Sequence, residues 1–264
     1  MSKFKEKIIK CKEPNQCLGD LLFIHGFCVD YSYMLAAKEL AKHFNVYMIN
    51  LPGHGDNADH VKTEDMTVYR YCDYVIQYVE ERKLNNFYLM GHSMGGAVVS
   101  LVENQLKNRI KGLILVAPHN VAVLFMGLRG LSVFYVKNMH QKYRLLDYLY
   151  KEYRHYLDDP DWVKMNENQL KFQLAHWCEM KTLFQHLGSV KTLRNIRKAQ
   201  KAIKAPTLLL VGKYDGIISA KHTIKGFKRY IPNVQIYTFE NSGHLPFEEE
   251  QELFVSKVVE FASK

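Results

Sequence analysis

A serine between two glycines is the residue in this sequence best suited to nucleophilic chemistry. Ser93 stands in the segment Gly-His-Ser-Met-Gly, residues 91–95, directly after a short apolar run at 87–90. Small and β-branched residues follow, and this order predicts a strand, a tight turn with the serine at its apex, and a helix. The turn would expose the hydroxyl of Ser93 at the carboxyl edge of a sheet. It would also place the amide of Met94 at a helix N-terminus, where an N–H group can stabilise an oxyanion.

A serine hydroxyl needs a general base, usually a histidine that a carboxylate holds in place. The sequence has 12 histidines, so position rather than residue type has to select among them. His244 follows the last predicted strand and Asp215 follows the strand before it, at the sheet edge where Ser93 is expected. The loop after the predicted strand at 110–117 offers no carboxylate, so Asp215 has no rival there. The chain order Ser, Asp, His is the order that hydrolases with this kind of turn use.

The elements that must position these residues alternate between strands and helices. Apolar patterns predict an edge strand at 4–12 and further strands at 20–24, 44–51, 87–90, 110–117, 206–211 and 234–239. Helical spacing of apolar residues predicts helices at 32–43, 67–84, 94–107, 220–230 and 248–262. This alternation indicates an α/β fold with a mostly parallel, doubly wound sheet.

The alternation stops at about residue 119 and resumes at about 205. The 80 residues between, 120–199, look helical and carry 13 basic and 7 acidic residues, which is +6 of the net charge of +9. We predict a core of residues 1–119 and 200–264 and a helical cap of residues 120–199 over the carboxyl edge of the sheet. The apolar stretch from Val121 to Val136 has two interpretations. It could pack on the core, or it could line an acyl pocket or touch lipid, and the two do not exclude each other. Val121 and Phe125 are the predicted substrate contacts.

Composition restricts the classes of protein. The 264 residues are 47% hydrophobic and 24% charged, as in a soluble globular protein of one large or two small domains. The N-terminus lacks an apolar segment of signal-peptide length, and no apolar run approaches the roughly 20 residues that span a bilayer. Five scattered cysteines form neither a disulfide framework nor a metal-ligand spacing, which indicates a cytoplasmic protein without a metal. No run of basic residues or nucleic-acid-binding motif accompanies the positive charge, so we expect a solvated surface and no nucleic-acid partner.

Four motifs in order resemble those of the α/β-hydrolase superfamily, over nearly the whole chain outside the cap. They are His-Gly-Phe at 25–27, Leu-Pro-Gly-His-Gly at 51–55, Gly-His-Ser-Met-Gly-Gly at 91–96 and Gly-His at 243–244, with a weaker Gly-x-x-Asp at 212–215. The resemblance implies the α/β-hydrolase fold, with the cap inserted after the sixth strand, and no cofactor.

The resemblance also implies roles for individual residues. Ser93 would be the nucleophile, His244 the general base and acid, and Asp215 the carboxylate that orients the base. The backbone amides of Phe27 and Met94 would form the oxyanion hole. Gly26 would contact substrate, and a glycine there permits the sharp turn that aims the amide of Phe27. His54 and His92, each in a turn beside glycine, are expected to be structural.

Four positions depart from the family pattern. Asn50 stands where these enzymes commonly carry Asp, and Asp56 and Asn57 replace the usual small polar residues after the second motif. The proline that often follows the acid is absent at Gly216.

The serine excludes the haloalkane dehalogenase and epoxide hydrolase chemistry of the superfamily, which uses an aspartate nucleophile. The motif around Ser93, Gly-His-Ser-Met-Gly-Gly at 91–96, resembles those of serine esterases and monoacylglycerol lipase-like enzymes. We therefore expect a carboxylic-ester hydrolase that acts through an acyl-serine on a small-molecule ester or lipid. The basic cap could favour lysophospholipids and transient contact with membrane lipid. A carbon–carbon bond hydrolase of the same fold and a non-catalytic ligand-binding protein are the alternatives. Acyl length, alcohol moiety and oligomeric state stay open.

Overall fold

A sheet with helices on both sides forms the centre of the computed structural model, which describes residues 4–59, 61–127 and 132–264. Its strands are β1 (Glu6–Ile9), β2 (Asp20–Ile24), β3 (Asn45–Ile49), β4 (Phe87–His92), β5 (Ile110–Val116), β6 (Thr207–Gly212) and β7 (Gln235–Phe239). Their spatial order is β1-β3-β2-β4-β5-β6-β7. Only the pairing of β1 with β3 is antiparallel among the described strands. The predicted mostly parallel sheet is confirmed.

The central strands are apolar at nearly every position because helices cover both faces of the sheet. Successive side chains of β2 point to opposite faces, so Leu22 and Ile24 belong to one apolar core and Leu21 and Phe23 to the other.

The helices are α1 (Ala37–Leu40), α2 (Val68–Glu81), α3 (Met94–Leu106), α4 (Met139–Leu149), α5 (Pro160–Ala175), α6 (Trp177–Gly188), α7 (Val190–Ala202), α8 (Ala220–Tyr230), α9 (Pro246–Glu249) and α10 (Gln251–Ala262). The helix predicted at 32–43 is wrong in extent, because a 3-10 turn at Tyr31–Tyr33 precedes the four-residue α1. The carboxylate of Asp30 accepts a hydrogen bond of 2.7 Å from the amide of Ser32 and starts that turn. Apolar residues three or four apart suit both kinds of helix, so the spacing could not separate them.

The segment between β5 and β6, which we call the helical insertion, contains α4 to α7. The insertion therefore follows the fifth described strand and not, as expected above, the sixth. The count is lower by one because a single described strand, β1, precedes the parallel strands β2 to β7. The expected boundary at residue 199 falls inside α7, whose carbonyl of Ala199 accepts a hydrogen bond from Asn104 of α3. Residues 128–131 of the apolar stretch at 121–136 lie outside the described residues. Within the described ranges, no helix combines the length and the apolar character needed to cross a membrane.

Candidate functional site

A cavity of about 580 Å³ lies at the carboxyl ends of β2, β4 and β7. The sheet side of its wall contains five of the predicted catalytic, oxyanion-hole and substrate-binding residues, namely Gly26, Phe27, Ser93, Met94 and His244. The rest of the wall comes largely from the helical insertion and α9. The cavity is thus where an open α/β sheet ordinarily binds its ligand.

Ser93 has a strained backbone. Its φ of 52° and ψ of −118° lie in a region that residues other than glycine rarely adopt, at a cost of roughly 1–3 kcal/mol. Neighbouring backbone holds it there. Its amide donates to the carbonyl of Val116 at 3.0 Å, and its carbonyl accepts from the amide of His119 at 2.8 Å. The turn is therefore fixed by β5 and by the loop that follows β5.

The glycines on either side of the turn allow α3 to begin against the strands. A Cβ atom on Gly91 would lie 2.4 Å from the carbonyl oxygen of Gly95. A Cβ atom on Gly95 would lie 2.2 Å from the carbonyl oxygen of Ile24 in β2. Backbone cannot yield as a flexible side chain can, so a larger residue at either position would displace α3 and with it Ser93.

His244 and Asp215 form a buried pair at the same edge. His244 Nδ1 lies 2.8 Å from Asp215 Oδ2, and the two side chains are 3% and 1% exposed. Asp215 Oδ1 accepts from the amides of Ile217 and Ile218, each at 2.8 Å. These amides hold the carboxylate although the proline common in the family is absent. With Nδ1–H donating to Asp215, Nε2 of a neutral His244 is the nitrogen able to accept a proton.

Two backbone amides border the cavity near Ser93 without a hydrogen-bond acceptor. Met94 is the first residue of α3, where an N–H group has no intrahelical partner. Phe27 follows β2, the strand next to β4. In the described part of the chain, neither amide donates to a carbonyl or a side chain. Two such donors could bind an oxyanion on substrate held by Ser93.

A sequence model of the alpha/beta hydrolase family matches residues 21–257, which run from β2 into α10. The chain belongs to the alpha/beta hydrolase family.

Relatives and solved structures agree with this membership. "Putative esterase/lipase 2" of Mycoplasma genitalium is 29% identical over 260 residues, which cover 94% of this chain and 91% of the relative. "Monoacylglycerol lipase ABHD6" of Rattus norvegicus is 26% identical over 255 residues, which cover 91% of this chain and 74% of the relative. The crystal structure of a bacterial membrane phospholipase A aligns with a TM-score of 0.79 at 22% identity, over 98% of this chain and 86% of that one. At that identity the alignment shows a shared fold.

A chain of hydrogen bonds joins three loops of this hydrolase fold. The amide of Gly26 donates to the hydroxyl of Tyr33 at 3.1 Å, and that hydroxyl donates to His92 Nδ1. His92 Nε2–H donates to the carbonyl of His244 at 2.9 Å. Burial holds the pKa of His92 well below its usual range, so the ring stays neutral with one donor and one acceptor. The sequence did not predict this role of Tyr33, because no local pattern indicates a hydrogen bond to a residue as distant as His92.

The other motif histidines are also buried and neutral. His25 Nε2 accepts from the amide of Leu51 at 3.0 Å, and burial lowers the pKa of His25 to about 4. His54 Nδ1 donates to the carbonyl of Pro52 at 3.2 Å, and burial lowers the pKa of His54 to about 3. These contacts hold the loops that end β2 and β3.

Val121 and Phe125, the expected substrate contacts, do not border the cavity. They belong to a 3-10 helix at Val121–Met126, whose Val123 and Leu124 line the cavity instead. Phe125 is 62% exposed and stacks on His222 with ring centroids 3.5 Å apart. The stretch therefore borders the cavity through other residues than the two expected, because its apolar residues continue without a polar face that would show which side is turned inward.

Two of the departures from the family pattern contact each other. Asn50 Nδ2 donates to Asp56 Oδ1 at 2.7 Å, and Asn50 Oδ1 accepts from the amide of Tyr31 at 2.8 Å. An aspartate at position 50 could accept from Tyr31 but could not donate to Asp56. The amide at position 50 therefore suits the carboxylate at position 56.

Two charged residues of the cavity wall escaped the sequence reasoning. Lys142 of α4 is 6% exposed, and burial lowers its pKa to about 8. Glu248 of α9 accepts from the hydroxyl of Tyr150 and from Trp162 Nε1, both at 2.9 Å, and burial raises its pKa. The sequence holds 36 lysines and arginines, and no local pattern distinguishes a lysine that points inward from one in solvent.

Proposed function

We propose that the protein hydrolyses carboxylic esters through an acyl-serine intermediate, with Ser93 as nucleophile, His244 as general base and acid, and Asp215 as the orienting carboxylate. One observation carries the proposal. The strained turn at Ser93 and His244, which is held by Asp215 at 2.8 Å, border the same cavity.

In each half-reaction His244 acts first as base and then as acid. Ser93 Oγ attacks the ester carbonyl carbon while His244 Nε2 takes the hydroxyl proton, and Asp215 stabilises the imidazolium. The amides of Phe27 and Met94 bind the oxyanion, and loss of one such donor costs roughly 3–4 kcal/mol. His244 then protonates the leaving alcohol. A water molecule, deprotonated by His244, cleaves the acyl-serine and restores Ser93.

The apolar wall on the insertion side of the cavity supports an acyl chain as the part of the substrate that binds there. Phe134, Leu145, Leu146, Leu149 and Phe184 line it, and its volume of about 580 Å³ suits a ligand of medium size. The esterase/lipase and monoacylglycerol lipase names of the relatives point the same way. We propose a small ester or lipid substrate, with monoacylglycerol and lysophospholipid as the candidates, and the segment 120–199 as a cap over the core formed by 1–119 and 200–264.

Exposed apolar side chains beside the cavity support transient contact with membrane lipid as part of this proposal. Leu124 and Phe125, neighbours on one 3-10 helix, are 64% and 62% exposed. Such side chains near a site that accepts acyl chains could enter a lipid surface. If they do, Phe125→Ser, which changes a side chain outside the cavity, lowers activity on lipid vesicles but not on soluble esters.

The test of the function is covalent labelling together with hydrolysis. A fluorophosphonate probe should modify Ser93, as peptide mass spectrometry can establish, and Ser93→Ala should neither react nor hydrolyse monoacylglycerol. If the wild-type protein cleaves a vinylogous diketone and no ester, the carbon–carbon hydrolase alternative replaces this proposal. If it cleaves neither substrate and resists the probe, a ligand-binding role replaces it.

A further inference from the structure

A buried lysine in the cavity wall takes no part in the proposed reaction. Lys142 lies on α4, borders the cavity and is 6% exposed. Its ammonium group donates one hydrogen bond, to Gln169 Oε1 at 3.0 Å. An ammonium group has three N–H donors, so two are left for a ligand.

No acid neutralises this lysine in the described part of the chain. Glu248 also borders the cavity, but Tyr150 and Trp162 each donate to one of its carboxylate oxygens. No ion pair joins Lys142 to Glu248 or to any other described carboxylate. Burying an unpaired charge is costly, and buried charges in proteins are ordinarily paired. An anionic group of a ligand would supply the missing partner.

The remaining polar neighbours on α5 are neutral. Gln169, Asn166 and Gln173 all border the cavity, and each carries an amide rather than a charge. Asn166 and Gln173 each use one N–H on a backbone carbonyl, of Trp162 and Phe134. Lys142 is the one lysine or arginine of the described cavity wall, and the carboxylate of Glu248 already accepts from two donors, so the site suits a ligand with one negative charge. A phosphate monoester carries about −1.5 to −2 at neutral pH and would stay partly uncompensated.

We propose that Lys142 binds a singly charged oxyanion of the substrate, so that the preferred esters carry one negative charge apart from the reacting ester bond. This inference rests on the proposed ester hydrolysis and narrows its substrate class. Two kinds of substrate supply such a charge, namely an acyl chain that ends in a carboxylate and a lysophospholipid whose glycerol carries a phosphodiester.

Two matched pairs of esters separate these sources. The first pair is the mono-p-nitrophenyl ester of nonanedioic acid and p-nitrophenyl nonanoate, which differ in the terminal carboxylate. The second pair is a lysophosphatidylglycerol and a monoacylglycerol with the same acyl chain. In at least one pair, the wild-type kcat/KM should be roughly 10- to 100-fold higher for the anionic ester, as expected for a hydrogen bond between charged groups.

Lys142→Met removes the charge and keeps the length of the side chain, and should abolish this preference. Lys142→Arg keeps the charge and should retain most of it. Lys142→Gln, whose amide could still contact Gln169, is the second neutral variant if the methionine variant folds poorly. Lys171→Met is the matched control, since Lys171 is an exposed lysine on α5, and it should leave the preference unchanged.

Preference within the first pair alone assigns the charge to the acyl chain, and preference within the second pair alone assigns it to the phosphodiester. The inference is overturned if the wild-type enzyme prefers the anionic ester in neither pair, or if a preference for the anionic ester survives in both neutral variants. Failure of the proposed function would look different, because the wild-type protein would then hydrolyse none of the four esters.

A binding measurement tests the lysine independently of turnover. Nonanoate should bind wild-type protein in calorimetric titration more tightly than the uncharged nonanamide does, and Lys142→Met should remove the difference. Equal binding of the acid and the amide to wild-type protein would contradict a carboxylate at Lys142, and the lysophosphatidylglycerol headgroup, glycerophosphoglycerol, would then be titrated in the same way. Equal binding of that probe to wild-type and Lys142→Met would overturn the inference.

Discussion

The two walls of the cavity are built in different ways. On the sheet side, backbone hydrogen bonds and glycine contacts fix the groups, as at Ser93, whose amide and carbonyl both bond to neighbouring backbone. On the side of the helical insertion, side chains such as Lys142 and Phe184 project from helices. A side chain on a helix can be replaced without moving that helix, whereas a larger residue at Gly91 or Gly95 cannot be placed without moving the turn. We infer that the sheet side determines the reaction and the insertion determines the substrate.

The largest effect is expected at the carboxylate of the sheet side. Asp215→Asn should lower kcat on the order of 10⁴-fold, because the amide no longer stabilises the imidazolium or selects the proton position of His244. The loss should be equal for short and long esters, measured by steady-state kinetics. Asp158→Asn, an exposed aspartate of the insertion, is the control and should keep wild-type rates. A loss confined to long esters would contradict the division between the two walls.

Gly95→Ala tests whether the turn depends on close backbone contact. The new Cβ atom would meet the carbonyl of Ile24, and overpacking of this kind costs roughly 1–3 kcal/mol. We expect a lower free energy of unfolding in urea and loss of turnover. Gly226→Ala on α8 is the control, because its added Cβ lies 3.5 Å or more from its nearest neighbour, the side chain of Tyr230, and it should lower neither quantity. If Gly95→Ala unfolds at the wild-type urea concentration, the contact does not constrain the turn.

The pH dependence of stability should arise on the sheet side. Burial lowers the pKa of His25, His54 and His119 to about 4, 3 and 4. The unfolded chain binds protons at these histidines below about pH 6.5, and the folded chain does not, so stability is complete above that pH and falls as the pH decreases toward 4. Each histidine should contribute about 2 kcal/mol to the difference between about pH 7.5 and about pH 5.

Urea unfolding at the two pH values measures this contribution. His119→Gln, whose amide can still donate to the carbonyl of Leu187 that His119 Nε2 contacts at 3.2 Å, should reduce the loss of stability on acidification. His140→Gln, at an exposed histidine of α4, should leave it unchanged. The same loss in all three proteins would mean that His119 is not a source of the pH dependence.

A substitution in the insertion wall should change preference rather than rate on every substrate. Phe184→Ala enlarges the cavity beside Phe134, whose ring centroid lies 5.1 Å from that of Phe184. We expect kcat/KM to shift by about tenfold in favour of longer acyl chains. Phe125→Ala makes the same chemical change outside the cavity and should not alter the preference among soluble esters. A uniform fall for all chain lengths in Phe184→Ala would place this residue in the machinery of the reaction instead.

The smallest effect tests the strain at Ser93. Glycine adopts a positive φ without steric cost, so Ser93→Gly should raise the free energy of unfolding by about 1 kcal/mol while turnover is lost. Differential scanning calorimetry against Ser93→Ala, which keeps the Cβ atom, isolates the contribution of the backbone. Equal melting temperatures for the two variants would show that the turn stores no strain.

The sheet side could be predicted from the sequence because its requirements are local. Continuous apolar runs predict buried strands, and the glycines around Ser93 indicate where α3 must contact backbone. The insertion could not be predicted to the same depth, since its apolar residues at 121–136 do not reveal which face borders the cavity. Lys142 and Tyr33 escaped notice for a second reason. Their partners, Gln169 and His92, are distant in sequence.

The measurement that tests the central claim most directly is hydrolysis of p-nitrophenyl esters from acetate to palmitate by the wild type and Ser93→Ala. The account predicts a clear optimum in acyl length for the wild type and loss of turnover in the variant at every length. No ester hydrolysis by the wild type, or an equal rate in Ser93→Ala, would contradict it.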